Sequence, residues 1–220
     1  MPNQPVPVIR WSADEGERTG TPLVVALHGR GADERSFTGL APHLPSGTTV
    51  ASVRAPIPEG GGYAWFANRG IGRPLPDSLA ETSDWLFGWL DTVEARHSSV
   101  AVFGFSGGMA MAGGLVLAEP RRFSAAVLLS GTLPWDAGLS EEAGRLAGLP
   151  LFWGRDTADA VIPADLVART GTWLRERSGA ELRERIYPGM GHGASVQELR
   201  DIHDFLAAVP PRAPGGAAAS

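Results

Sequence analysis

Six short stretches, most of them apolar, are predicted as strands and alternate along the chain with longer segments of helical periodicity. Many of their residues are β-branched or aromatic, and they span residues 23–27, 50–53, 100–105, 125–129, 149–153 and 182–187. Short, almost wholly apolar runs are typical of strands that are buried on both faces of a parallel sheet. The alternation therefore predicts an α/β fold with a mostly parallel central sheet and helices on both faces.

Three of the intervening segments have the periodicity of amphipathic helices. Apolar residues recur every three or four positions in residues 79–96 and 163–177. The last helix is marked by a capping box, Ser195 followed three residues later by Glu198, and it should end before the two prolines at 210–211. These segments are expected to pack on the sheet.

The chain ends and the connections predict a simple organisation. Residues 6–11 are expected to form an edge strand. Residues 1–209 are expected to form one domain, and residues 210–220 a flexible tail, because the tail is rich in small residues and has no periodicity. No long insertion follows residue 129, so residues 132–148 can form only a small cover over the sheet.

Composition excludes several classes of function. The 220 residues are 43% hydrophobic and 20% charged, which is ordinary for a globular domain and predicts no membrane span. A net charge of -5 without a basic cluster argues against a nucleic-acid partner. The chain has no cysteine, so disulfides and thiolate metal sites are excluded. The first residues lack the features of a signal peptide, which makes the cytoplasm the expected location.

Residues 104–108, Gly-Phe-Ser-Gly-Gly, stand between a predicted strand and a long apolar run with helical length. This is the G-x-S-x-G pattern of a nucleophile elbow, in which the serine sits on a sharp strand-to-helix turn. The pattern nominates Ser106 as a nucleophile.

A serine hydroxyl needs a base within hydrogen-bond reach and an acid that orients the base. His192 lies in a glycine-flanked loop between the last predicted strand and the capped helix, where a base could reach the elbow. The loop after residues 149–153 offers two candidate acids. Asp159 is favoured because it directly precedes the Ala-Val-Ile-Pro that leads into the next helix, and Asp156 stays open as the alternative.

An oxyanion hole needs two N–H donors, one from the residue after the nucleophile and one from the loop after an early strand. Gly107 supplies the first amide. The sequence His28-Gly29-Arg30-Gly31, directly after residues 23–27, supplies the second, most simply through the amide of Arg30.

Taken together, these motifs resemble the α/β-hydrolase superfamily and, within it, the phospholipase/carboxylesterase family that includes the acyl-protein thioesterases. The resemblance covers about residues 21–209 and rests on residues 27–33, 55–56 with 62–66, 104–108, 159–163 and 189–192. It implies Ser106, Asp159 and His192 as a catalytic triad, Arg30 and Gly107 as the oxyanion-hole amides, and a single-domain α/β-hydrolase fold with a minimal cap.

The chain departs from the family pattern at two positions. Gly107 stands where the family usually has glutamine, and Trp153 precedes Gly154 where the family often has histidine. We expect Trp153, together with Trp65 and Trp135, to wall a substrate pocket.

The function implied by the resemblance is hydrolysis of carboxylic esters or thioesters of small to medium acyl groups, through an acyl-enzyme on Ser106. No cofactor or metal is expected, and the partner is a small-molecule ester or thioester. Two alternatives use the same scaffold: an acyltransferase or cyclising enzyme of biosynthesis, and a non-catalytic ligand-binding protein. The sequence leaves the oligomeric state open, with a homodimer among the options.

Overall fold

The computed structural model describes residues 6–210 and residue 212, and nearly all of the predicted tail lies outside these residues. The described chain is built on nine strands. These are β1 (Ile9–Trp11), β2 (Pro22–Leu27), β3 (Thr49–Val53), β4 (Ile57–Glu59), β5 (Gly62–Ala64), β6 (Ser99–Phe105), β7 (Ala125–Leu129), β8 (Pro150–Arg155) and β9 (Glu181–Ile186). The six strands predicted between residues 23 and 187 are all present, and the predicted edge strand is β1.

Seven of these strands form one sheet in the order β1-β3-β2-β6-β7-β8-β9. Only β1 is antiparallel to its neighbour, so the prediction of a mostly parallel sheet is confirmed. Because β2, β6, β8 and β9 are parallel, the loops that follow them meet at one edge of the sheet. These loops carry the candidate triad residues and the candidate oxyanion-hole amides.

Helices cover both faces of the sheet, as predicted. They are α1 (Pro76–Val93), α2 (Gly107–Ala118), α3 (Ala164–Glu176) and α4 (Val196–Ala208). Alternate residues of β2 belong to separate core clusters, one packed on α1, α2 and α3 and the other on α4. The α4 helix starts at the predicted cap, where the Ser195 hydroxyl accepts a hydrogen bond from the Glu198 amide at 3.1 Å.

Residues 130–149, between β7 and β8, contain no helix and no strand. Leu133, Trp135 and Leu146 of this segment are buried in the larger core cluster. The segment is therefore packed against the core of the domain and does not project over the sheet edge as a separate cap, which agrees with the minimal cap expected from the sequence.

The short hairpin formed by β4 and β5 was not predicted from the sequence. It pairs with the loop after β2, because the Gly31 amide donates to the Tyr63 carbonyl at 2.9 Å and the Tyr63 amide donates to the Ala32 carbonyl at 2.9 Å. A Cβ added at Gly62 would lie 1.9 Å from the Gly31 carbonyl oxygen, so only glycine allows this approach. The hairpin fixes the loop that carries Arg30.

Candidate active site

Ser106 lies on the sharp turn between β6 and α2. Its backbone has φ 55° and ψ -117°, a conformation that is strained for a residue with a side chain. The Ser106 amide donates to the Leu129 carbonyl at 3.0 Å, which anchors the turn to β7. Added Cβ atoms would lie 2.2 Å from the Gly108 carbonyl oxygen at Gly104, and 1.9 Å from the Leu27 carbonyl oxygen at Gly108. The two glycines thus allow the tight turn that presents the serine.

The His192 imidazole bridges Ser106 and Asp159. Its Nε2 lies 3.0 Å from the Ser106 hydroxyl oxygen, and its Nδ1 lies 2.8 Å from Asp159 Oδ2. A carboxylate accepts hydrogen bonds, so Nδ1 of the neutral ring carries the proton and Nε2 is free to accept from the serine hydroxyl. The Phe105 ring packs on the imidazole with 5.1 Å between the ring centres. These three side chains form a continuous hydrogen-bonded row.

The Asp159 carboxylate is held in place by its own loop. Its side chain is only 6% exposed, and Oδ1 accepts hydrogen bonds from the amides of Val161 at 2.8 Å and Ile162 at 3.4 Å. Oδ2 is left for the histidine. Of the two aspartates considered from the sequence, Asp159 is the one that contacts His192.

Asp156 does not touch the imidazole, yet it contacts the loop that carries it. Its Oδ1 accepts from the Ala158 amide at 2.9 Å, as in an ordinary Asx turn, and its Oδ2 accepts from the Gly191 amide at 2.8 Å. Hydrogen bonds from the amides of Ala158 and Gly191 hold the pKa of Asp156 below its usual range. The turn at Asp156 is recognisable from local sequence, whereas the bond to Gly191, 35 residues away, has no local sequence signal.

The amides of Arg30 and Gly107 lie side by side next to Ser106. A Cβ added at Gly107 would lie 3.2 Å from the Arg30 amide nitrogen. Among the described residues, neither amide donates to an acceptor. The Arg30 guanidinium points elsewhere, since it forms a two-pronged ion pair with Glu59 and donates to the Phe66 carbonyl at 3.1 Å. The pair of amides is therefore available to a negatively charged oxygen at Ser106.

His28 stabilises the loop that carries Arg30 through hydrogen bonds of its ring and its carbonyl. Its buried ring accepts from the Ala55 amide through Nε2 at 3.1 Å, and Nδ1 lies 2.8 Å from the Gly29 carbonyl. Burial lowers the pKa of His28, which favours the neutral ring with the proton on Nδ1. The Trp65 indole donates to the His28 carbonyl at 2.7 Å. His28 thus acts on the loop geometry and does not reach Ser106.

Two cavities meet at Ser106, and both are also lined by Arg30 and His192. The Trp65 cavity has a volume of about 330 Å³ and is further lined by Trp65, Phe66, Asn68, Ile71, Gly72, Gly107, Ala110, Gly131, Thr132, Val161 and Ile162. The Phe105 cavity has a volume of about 550 Å³ and is further lined by Gly29, Ala32, Ser36, Phe37, Gly39, Leu40, His43, Phe103, Phe105, Leu129, Ala194 and Leu199. Of the three tryptophans expected at a pocket wall, Trp65 lines a cavity.

The expectation that Trp135 and Trp153 also wall the pocket is wrong. Trp153 belongs to β8, is 0% exposed and packs in the core cluster below the sheet edge, with the Arg155 guanidinium 4.1 Å from its ring centre. Trp135 is 2% exposed, and its indole N–H donates to the Thr170 hydroxyl of α3 at 2.9 Å. Neither lines either cavity. Both indoles contribute apolar area to the core instead.

Glu198 carries a buried carboxyl group next to Gly154, close to the loop that holds Asp156 and Asp159. Its side chain is in the first turn of α4, and a Cβ added at Gly154 would lie 2.2 Å from its Oε1. Neither carboxyl oxygen has a hydrogen-bond partner within normal geometry among the described residues. Burial raises the pKa of Glu198 to about 7, against a partial opposing effect of the Ser195 amide. The group is therefore readily protonated near neutral pH.

This shifted pKa predicts a pH-dependent stability. The pKa of Glu198 is above its ordinary value of 4.5, so its contribution to stability is complete below about pH 4.5 and is lost as the pH rises through about 7. The free energy of unfolding should fall by about 3 kcal/mol over this range because of Glu198 alone. Urea unfolding of the wild type and of Glu198→Gln measures it: their difference should change with pH, and parallel pH profiles would contradict the prediction.

The described residues contain no group of three or more histidine, aspartate or glutamate side chains arranged to hold a metal ion. Among the helices of residues 6–210, none is both long enough and apolar enough to cross a membrane.

The fold and the row of serine, histidine and aspartate at its strand ends define an α/β hydrolase. The chain belongs to the phospholipase/carboxylesterase family, whose model matches residues 12–209. Acyl-protein thioesterase 1 of Debaryomyces hansenii is 26% identical over 164 residues, which cover 69% of this chain and 70% of the relative. A probable carboxylesterase of Oryza sativa subsp. japonica is 29% identical over 209 residues, covering 83% and 86%. The predictions of family and of esterase class are confirmed.

A solved structure agrees with the fold. The carboxylesterase from Mesorhizobium loti superimposes with a TM-score of 0.80 at 22% identity, and the match covers 94% of this chain and 97% of that one. This likeness supports the α/β-hydrolase architecture.

Proposed function

We propose that the protein hydrolyses carboxylic esters or thioesters with Ser106 as nucleophile, His192 as general base and Asp159 as the group that orients the base. One observation carries the proposal: the hydrogen bonds of 3.0 Å and 2.8 Å that join the three side chains, next to two amides that have no acceptor among the described residues. The names of the relatives, thioesterases and carboxylesterases, support the same reaction class.

In the first half of the reaction, the Ser106 hydroxyl oxygen attacks the carbonyl carbon while its proton moves to His192 Nε2. The carbonyl oxygen becomes negatively charged and is stabilised by the amides of Arg30 and Gly107. When the bond from carbon to the alcohol oxygen or thiol sulfur breaks, His192 returns the proton to the leaving group. An ester between Ser106 and the acyl group remains.

In the second half, a water molecule takes the place of the leaving group. It attacks the acyl carbon while His192 accepts one of its protons, and that proton then passes to the Ser106 oxygen as the acyl bond breaks. The products are the free carboxylic acid and the original enzyme. Asp159 stabilises the positively charged imidazole in both halves by accepting from Nδ1.

The acyl group is proposed to lie in the Trp65 cavity. Ala110 and Gly107 belong to the first turn of α2, beside the oxyanion amides, and Ile162 and Trp65 close the sides. A volume of about 330 Å³ is at the small end of ligand sites, which supports small to medium acyl groups.

A fluorophosphonate probe tests the proposed nucleophile. Its phosphorus resembles the tetrahedral intermediate, so we expect stoichiometric modification of Ser106 and complete loss of ester hydrolysis. Mass spectrometry of the digested protein would locate the adduct, and heat-denatured protein serves as the control because it has no assembled triad. Modification of another residue, or none in an active preparation, would refute the role of Ser106.

The cytoplasmic location and the domain bounds 1–209 stay predictions from the sequence.

A further inference from the structure

We propose that the Phe105 cavity binds the alcohol or thiol portion of the substrate, and that this portion is apolar, of the size of an aromatic ring or a medium alkyl chain. The proposal rests on the proposed hydrolytic function and names the second half of its substrate.

The two cavities match the two substituents of an ester carbonyl. With the carbonyl carbon at the Ser106 hydroxyl and its oxygen on the amides of Arg30 and Gly107, the acyl chain and the leaving group must extend in different directions. Both cavities open at Ser106, and both are lined by His192. One substituent can therefore enter each cavity.

The position of the base decides which substituent enters which cavity. The leaving oxygen or sulfur must lie next to His192 Nε2, because it takes its proton from there. The Phe105 cavity is bounded by the ring that packs on the imidazole and by Ala194 and Leu199, which follow His192 in the chain. The Trp65 cavity instead includes Gly107 and Ala110 of α2. The leaving group thus belongs on the Phe105 side.

The lining of the Phe105 cavity selects an apolar group. Its walls are mainly the apolar side chains of Phe37, Leu40, Phe103, Phe105, Leu129 and Leu199, with the polar side chains of Ser36 and His43 beside them. Phe37 meets Phe103 edge to face with 5.2 Å between ring centres, so the aromatic wall is already packed. Within the described part of the chain no carboxylate lines the cavity, and the Arg30 guanidinium is bound to Glu59. A charged alcohol would find no opposite charge here.

Gly39 offers a way to fill the cavity without disturbing the fold. It lines the Phe105 cavity, it is exposed, and an added Cβ would meet nothing within 4 Å. Its φ is outside the left-handed region, so a side chain is tolerated. Gly39→Trp should place an indole in the space for the leaving group. Gly88→Trp is the matched control, because Gly88 is an equally open, exposed glycine on α1, outside both cavities.

The experiment compares ethyl butanoate with 2-phenylethyl butanoate, two esters with the same acyl group and leaving alcohols of similar reactivity. For the wild type, kcat/KM should favour the phenylethyl ester by about tenfold or more, the scale of apolar discrimination in enzyme pockets. Gly39→Trp should reduce this ratio at least about tenfold, and Gly88→Trp should keep it. Ser36→Trp, at another cavity position, repeats the test if Gly39→Trp does not fold.

A second series, ethyl acetate to ethyl octanoate, varies the acyl group alone, and its profile should be the same in the wild type and in Gly39→Trp. If Gly39→Trp changes the acyl profile and keeps the alcohol ratio, the cavity binds the acyl group and the proposal is overturned, while the hydrolytic function stands. The proposal is also overturned if kcat/KM of the wild type does not favour the phenylethyl ester. A wild type that hydrolyses no ester and is not labelled at Ser106 would show that the hydrolytic function itself is wrong.

Discussion

Ser106→Ala is expected to lower kcat on a short-chain chromogenic ester by several orders of magnitude, on the scale of roughly 10⁶-fold. The variant lacks the oxygen that forms the acyl-enzyme, and His192 Nε2 loses its partner at 3.0 Å. The amides of Arg30 and Gly107 remain, so a small residual rate above the uncatalysed reaction should persist. Steady-state kinetics at saturating ester measures the loss.

The matched control is Ser140→Ala, since Ser140 lines neither cavity. Among the described residues its hydroxyl accepts one long bond, of 3.4 Å, from the Glu142 amide. It should keep the wild-type rate. Circular dichroism and thermal unfolding should show that both variants fold. An unchanged rate in folded Ser106→Ala would mean that another group attacks the carbonyl.

The five central strands of the sheet, β2, β3, β6, β7 and β8, could be predicted from the sequence because they are buried on both faces. A strand such as β7 (Ala125–Leu129) is apolar at every position, and its predicted bounds are the observed ones. The hairpin of β4 and β5 escaped prediction because its strands have three residues each and are joined by consecutive glycines. Its position is set by pairing with the loop after β2, a contact between distant parts of the chain that no local pattern encodes.

The catalytic residues could also be predicted more easily than the walls of the substrate pocket. The glycines of the elbow and the loop of His192 are local motifs, and the parallel sheet brings their ends together. Pocket walls follow from side-chain packing instead. Trp153 stands only three residues before Asp156, yet its indole packs in the core cluster with α1, α2 and α3. Its neighbour Phe152 packs in the cluster with α4, because successive side chains of a strand alternate between faces.

The different partners of Asp156 and Asp159 are also set by contacts between distant parts of the chain. From the sequence, Asp156 is a candidate triad acid because it shares a loop with Asp159. The folded chain gives Asp159 the Nδ1 of His192 and gives Asp156 the amide of Gly191, one residue earlier. Both carboxylates therefore act on the same histidine loop, one on the ring and one on the backbone.

Asp159→Asn is expected to lower kcat by roughly 10⁴-fold while the protein stays folded. An asparagine amide can turn its N–H₂ toward the imidazole, and the histidine then carries its proton on Nε2, where it cannot accept from Ser106. The positive imidazole also loses its carboxylate partner. Kinetics on the same ester, together with slower labelling by a fluorophosphonate, measures the effect.

Asp156→Asn provides the comparison that separates the two roles. Its side-chain oxygen can still accept from one of the amides of Ala158 and Gly191, so the loop is loosened and the imidazole keeps Asp159. We expect a loss of about tenfold in kcat, far smaller than for Asp159→Asn, with little change in KM, because a displaced base slows proton transfer and leaves both cavities intact. The reverse ranking of the two variants would mean that Asp156 orients the base during catalysis, and that the bond of Asp159 to Nδ1 is not the one used in the reaction.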